Sequence, residues 1–128
     1  MAIRNYNSDL NDKGEERILN EDSIYITRNK VLYRVVKNEV LFTKAEGGCI
    51  FITTINGDCF SYSSTLKQFA KYMNDDNFVK VHRSYYVNTR FLDSIDKNEV
   101  IVRNVKIPLS DMGYNFLMKL INRFKSKP

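Results

Sequence analysis

Short apolar runs interleaved with polar residues recur from Ser23 to Ile107, and they constrain the fold more than any other feature of this chain. Ile24 and Ile26 lead to Val31, Tyr33 and Val35, with Tyr25, Arg28, Leu32 and Arg34 between them. Val40-Leu41-Phe42 and Ile50-Phe51-Ile52 follow, on either side of Glu46-Gly47-Gly48. Alternation of this kind is strand periodicity, and the breaks carry turn-forming residues, beginning with Asn29-Lys30. Asn56-Gly57 is the strongest hairpin signal, because a type I′ turn needs positive φ at both central positions. Cys59, Phe60 and Tyr62 continue the next strand. Further strands are predicted at Phe78–Val81, Tyr85–Val87, Leu92–Ile95, Val100–Val102 and Val105–Ile107. Turns fall at Asp96-Lys97-Asn98 and Arg103-Asn104.

Two segments depart from that rhythm. Leu66, Phe69, Ala70 and Met73 recur at helical spacing, and Thr65 with Gln68 has the spacing of a capping box. Asn74-Asp75-Asp76-Asn77 ends this helix. Ser110 can cap a final helix whose apolar positions are Leu117, Leu120, Ile121 and Phe124. Arg123, Lys125 and Lys127 suit the C-terminus of such a helix. The expected fold is mostly β: several small antiparallel sheets with one central and one C-terminal helix. Residues 1–22 are polar and charged and read as a flexible N-terminal arm or linker, with one domain over residues 23–128.

Composition narrows the function. No apolar run is long enough to cross a bilayer, and Met1–Asn7 lacks the apolar core of a signal peptide, so a cytoplasmic protein without membrane contact is expected. Cys49 and Cys59 flank the Asn56-Gly57 turn and read as two free thiols. His82 is the only histidine, so neither a zinc site nor another metal site is expected. No phosphate-cradling glycine loop, cofactor motif or helix-turn-helix pair appears, and no cofactor is expected. His82 with Ser84 lacks an orienting acid, and Cys49 or Cys59 with His82 lacks supporting features, so the chain does not read as an enzyme. Lys and Arg outnumber Asp and Glu, 20 to 15, for a net charge of +5, which tilts the balance toward nucleic acid.

The sharpest local signal is His82-Arg83-Ser84. Phe78, Val79 and Val81 precede it and Tyr85, Tyr86 and Val87 follow, so the triad is anchored on both sides. A planar guanidinium on a stiff base suits guanine O6 and N7, or paired phosphate oxygens. His82 reads better as a half-buried side chain that bonds the backbone than as a DNA contact. Lys44-Ala45-Glu46-Gly47-Gly48-Cys49 could approach a phosphate backbone, but Glu46 repels phosphate and an ordinary glycine turn is the better reading. Ile107-Pro108-Leu109-Ser110-Asp111-Met112 combines a strand end, a proline and a helix N-cap. Its helix N-terminus could also hold a phosphate.

From Ser23 to Phe124 the order of features resembles the LytTR DNA-binding domain family. Asp22–Ile26 is similar to its first strand. Glu39–Gly47 resembles "[DE]-I-x-[YF]-[IV]-E-[AS]-x-G", and Ser64–Phe69 resembles a "[ST]-L-x-x-[LF]" helix start. Phe78–Asn88 resembles "F-x-[RK]-x-H-R-S-[YF]-[VIL]-V-N", and Ile107–Ser110 resembles "I-P-[VL]-S". The resemblance implies a β fold that binds duplex DNA through loops, bends it, and serves as the output half of bacterial response regulators. It places base-reading positions at Arg83, at Gly48 and Cys49, and around Met112. The chain differs from the pattern where Asp111 and Met112 follow Ser110 in place of a basic residue. Residues 1–22 are too few for a receiver domain, so phosphorylation input is expected from elsewhere or not at all.

The resulting expectation is a bacterial transcriptional regulator bound to repeated sites on double-stranded DNA, as a homodimer there. Arg83 reads bases, Lys80, Ser84, Arg103 and Lys106 hold phosphates, His82 shapes the turn, and Ser110 offers a helix N-terminus. The alternative is a small β-rich module that binds a protein or peptide along an exposed sheet edge.

Overall fold

The computed structural model describes residues 21–121. Its strands are β1 (Ser23–Arg28), β2 (Val31–Val36), β3 (Val40–Glu46), β4 (Cys49–Thr54), β5 (Cys59–Ser63), β6 (Phe78–His82), β7 (Tyr85–Asn88), β8 (Leu92–Ile95), β9 (Glu99–Val102) and β10 (Val105–Pro108). The helices are α1 (Leu66–Met73), between β5 and β6, and α2 (Asp111–Leu120), after β10. They form a β1-β2 hairpin, a three-stranded sheet ordered β10-β9-β8 and a five-stranded sheet ordered β5-β4-β3-β7-β6, all antiparallel. The predicted mostly-β architecture with two helices is the observed one.

The five-stranded sheet is covered on both faces, which explains why several of its strands read as continuous apolar runs. Consecutive residues Phe78 and Val79 enter different cores. Phe78 joins Ile26, Val35, Ile50, Ile52, Phe69 and Met73, under α1 and the β1-β2 hairpin. Val79 joins Val81, Val87, Val100, Ile107 and Leu117, under the three-stranded sheet and α2. Val31 and Tyr33 continue the predicted alternation but are exposed, because the hairpin tip reaches past the core.

The turns follow the chemistry of positive φ, with one correction. Asn29-Lys30, Gly47-Gly48 and Arg103-Asn104 each hold two consecutive positive-φ residues, as a type I′ hairpin requires. At Asn56-Gly57 only Gly57 does, so that turn is not type I′. The loop there is longer: Gly57 N donates to Thr54 O at 3.0 Å, and Ile55 N is drawn away to Glu39 O at 2.9 Å. Cys49 and Cys59 are free thiols at opposite ends of the β4-β5 ladder, paired with Ser63 and Thr53.

Thr65 Oγ1 accepts from Gln68 N at 3.1 Å, as the capping spacing predicts. The reciprocal half of the box is replaced, since Gln68 Oε1 accepts from Ser64 Oγ at 3.3 Å. Asn74, in the left-handed region at φ 43°, closes α1. Beyond it Asp75 accepts from both terminal guanidinium nitrogens of Arg90, at 2.7 and 3.3 Å. This pair ties the segment after α1 to the turn after β7. Burial pushes the Asp75 carboxyl up, but the Arg90 and Asn77 hydrogen bonds outweigh it and hold it below its ordinary value.

The C-terminal helix differs from the predicted pattern. Leu117 is fully buried, but Leu120 is 51% exposed, and Ile121 lies beyond the helix as its extended C-cap. The packed stripe runs instead through Gly113, Tyr114, Leu117 and Met118. Phe124, Arg123, Lys125 and Lys127 lie outside the described residues, as does nearly all of the predicted arm over residues 1–22. Among the described residues no helix is long and apolar enough to cross a membrane.

Candidate nucleic-acid interface

The turn between β6 and β7 is built by a bulge. Lys80 pairs with Tyr86 and His82 with Tyr85, so Val81 is an extra residue without a ladder partner. Its carbonyl is taken by Ser110, whose backbone N–H donates at 3.0 Å and whose hydroxyl donates at 3.3 Å. Ser110 Oγ also accepts from Gly113 N at 2.9 Å, so one side chain caps α2 and pins it to β6. Gly113 makes this approach feasible. A Cβ there would lie 2.9 Å from the Val81 Cα and closer still to its carbonyl.

The β3-β4 turn is drawn to the same place. Ala45 N donates to Ser84 O at 2.9 Å, which sets Gly47 and Gly48 beside the β6-β7 turn. Two cavities result. The larger, of about 580 Å³, has Lys80, His82 and Arg83 on one wall and Ser110, Met112 and Phe116 on the other. The second, of about 320 Å³, is lined by Gly48, Cys49, Ser64, Lys67, Lys80 and Arg83 among others. Lys80 and Arg83 belong to both, so they stand between the β3-β4 turn and the start of α2.

Arg83 is exposed and makes no ion pair with a described residue. Asp93 and Asp96 bond elsewhere. Asp93 Oδ2 accepts from Arg103 N at 2.9 Å, and Asp96 Oδ1 accepts from Asn98 N and Glu99 N at 2.7 and 2.9 Å. His82 faces inward to the turn: its Nδ1 accepts from Ser84 N at 3.1 Å, and its ring meets Tyr85 edge-on at 5.8 Å. That bond requires the ring proton on Nε2. Glu46, expected to repel phosphate, is matched by Lys44 at 3.1 Å. The Glu46 carboxylate, and Tyr85 after it, hold the Lys44 ammonium above its ordinary value. Tyr86 stacks on Phe78 at 5.4 Å and lines the second cavity, and burial pushes its phenol up, so it stays a donor.

Not every candidate gathers here. Arg103 lies over the Phe91 ring at 5.2 Å in the β9-β10 turn, Lys106 is exposed on β10, and neither lines either cavity. Lys67 was not among the candidates, yet it lines the second cavity from the first turn of α1. A lysine beside the positive end of a helix dipole is electrostatically misplaced for stability, and that was its signal in the sequence. Gly113 had no such signal, because its role appears only when α2 is laid on β6.

Residues 30–122 match the LytTr DNA-binding domain family. The chain is 23% identical over 122 residues to the sensory transduction protein LytT of Bacillus subtilis (strain 168). That alignment covers 91% of this chain and 50% of LytT, so the chain spans about half the length of that relative. A solved LytTr DNA-binding domain from Bacillus cereus superposes with a TM-score of 0.67 at 17% identity. The superposition covers 77% of this chain and 95% of the other, and shows a shared fold.

Proposed function

This chain belongs to the LytTR family of DNA-binding domains, and from that premise we propose that it reads duplex DNA through the turns gathered around Arg83. The observation that carries the reading is the uncommitted guanidinium at the junction of both cavities. A bidentate donor held on a bulged, capped turn loses little freedom on meeting a guanine edge. Gly48 and Cys49 approach from the β3-β4 side and Met112 from α2. Lys80, Ser84 and the newly placed Lys67 hold phosphates, which fix register without carrying sequence information. Ser110 acts by aiming α2, with the free N–H groups of Asp111 and Met112 beyond it. Arg103 and Lys106 are left with at most a flanking phosphate contact.

In this reading residues 23–128 are the DNA-binding unit and residues 1–22 an arm or linker. The biological role is transcription regulation as a response-regulator output domain, acting in the cytoplasm without catalysis of its own. Two copies on repeated sites complete the proposal, since a second bound copy raises avidity where one chain of net charge +5 releases few counter-ions. The test is selection of bound duplexes from a random pool. A recurrent motif containing a guanine whose replacement Arg83→Ala no longer senses is expected. Recovery of no common sequence would overturn the reading.

A further inference from the structure

A groove of about 480 Å³ opens between β1 and α1 and shares no lining residue with either cavity at the β6-β7 turn. Its walls are largely apolar: Ile24 and Tyr25 from β1, Phe69 and Tyr72 from α1, and Tyr62 from β5. Tyr25, Tyr62 and Tyr72 are 47%, 44% and 64% exposed. Large apolar side chains grouped in this way mark a surface that binds something. The charged residues of the lining are Lys37 and Lys71, and neither forms an ion pair with a described acid.

The chain itself carries a matching occupant. The described structure begins at Glu21, and Asp22 O accepts from Lys37 N at 2.7 Å, so the preceding residues join the domain at the rim of the groove. They end in Glu15-Glu16-Arg17-Ile18-Leu19-Asn20, two acids followed closely by two adjacent aliphatic side chains. Ile18 stands five residues before Ser23 of the groove lining, at most about 18 Å of extended chain. The tyrosines suit the aliphatic pair and the lysines suit the acids. A tethered segment is also present at an effective concentration on the order of millimolar, which favours it over a second copy from solution.

We infer that the groove between β1 and α1 is the docking site of residues 15–19, with Ile18 and Leu19 seated among the tyrosines and Glu15 and Glu16 facing Lys71 and Lys37. Seated there, the segment withdraws aromatic surface from other molecules and leaves the turn that carries Arg83 clear. It also sets the direction in which the N-terminal arm leaves the domain.

The chain has no tryptophan, so Leu19→Trp in the full chain gives a single reporter. Its emission should be blue-shifted and shielded from acrylamide, equally at every protein concentration. Tyr72→Ser should expose the reporter while the far-ultraviolet spectrum stays that of a folded chain, since Tyr72 is an exposed side chain. Lys71→Glu should expose it too, and Lys71→Arg should not. With Leu19 intact, trypsin cleavage after Arg17 tracks the unseated fraction. Tyr72→Ser should speed that cleavage about five-fold, the effect of returning about 40 Å² of apolar surface to water. A reporter freely quenched in the parent protein would overturn the inference. So would shielding that survives Tyr72→Ser or Lys71→Glu, a cleavage rate that Tyr72→Ser leaves unchanged, or shielding lost on dilution, which would put a second copy in the groove.

Discussion

Arg83 stands on a turn fixed by its neighbours: His82 shapes it and Ser110 braces it through Val81. Arg83→Ala is therefore expected to cost about 1–3 kcal/mol on the preferred duplex and to relax the choice at one base pair. Its melting temperature should stay put, and Arg83→Lys should rescue only in part because an ammonium lacks the planar fork. Equal weakening on random and specific duplexes, with a lowered melting temperature, would remove Arg83 from base reading. Asn88 is the contrast. Fully buried, it donates to Asn38 O and Val40 O at 3.2 and 2.9 Å and accepts from Arg90 N at 3.0 Å. Asn88→Ala strands those groups and should cost about 2–3 kcal/mol of stability, read as a shifted urea midpoint. The His-Arg-Ser triad was legible in sequence because apolar neighbours fence it on both sides. That His82 bonds the turn was legible too. Asn88 stood at the end of the same motif without a role, because its partners lie far away along the chain.

At the scale of elements, local chemistry announced most of what formed. Strand alternation, the Thr65 cap and the paired positive-φ turns are short-range effects, and they appear where the residues call for them. The misses are long-range. Asn56-Gly57 opens because Glu39 takes the Ile55 N–H, and Leu120 stays exposed because Gly113 sets which face of α2 meets β6. Gly113→Ala should push α2 off the bulge, costing about 1–3 kcal/mol as overpacking does, and weaken DNA binding as well. A binding loss with unchanged stability would contradict that coupling. The Asp75–Arg90 pair predicts a pH signature. Its carboxyl is depressed in the folded chain, so its stabilisation is present above the ordinary value of 3.8 and fades as pH falls through the lower folded value. Arg90 is 39% exposed, so Asp75→Asn should cost only about 1 kcal/mol at neutral pH. The gap between the two melting curves should close below pH 3.8.

For the whole molecule, the relevant quantity is charge delivered to a duplex. If about five phosphates are neutralised, log affinity should fall against log salt with a slope of about −4.5, and Lys80→Ala should reduce it by about one at every sequence alike. A flat response would exclude phosphate-driven binding. β6 is the last strand of its sheet, and the carbonyl released by its bulge would otherwise face outward, ready to accept a strand from another molecule. α2 occupies that acceptor through Ser110. The helix that braces the β6-β7 turn is thus also a guard against self-assembly, and a chain cut short before Ser110 should precipitate or form β-rich fibrils rather than persist as a soluble, merely inactive domain.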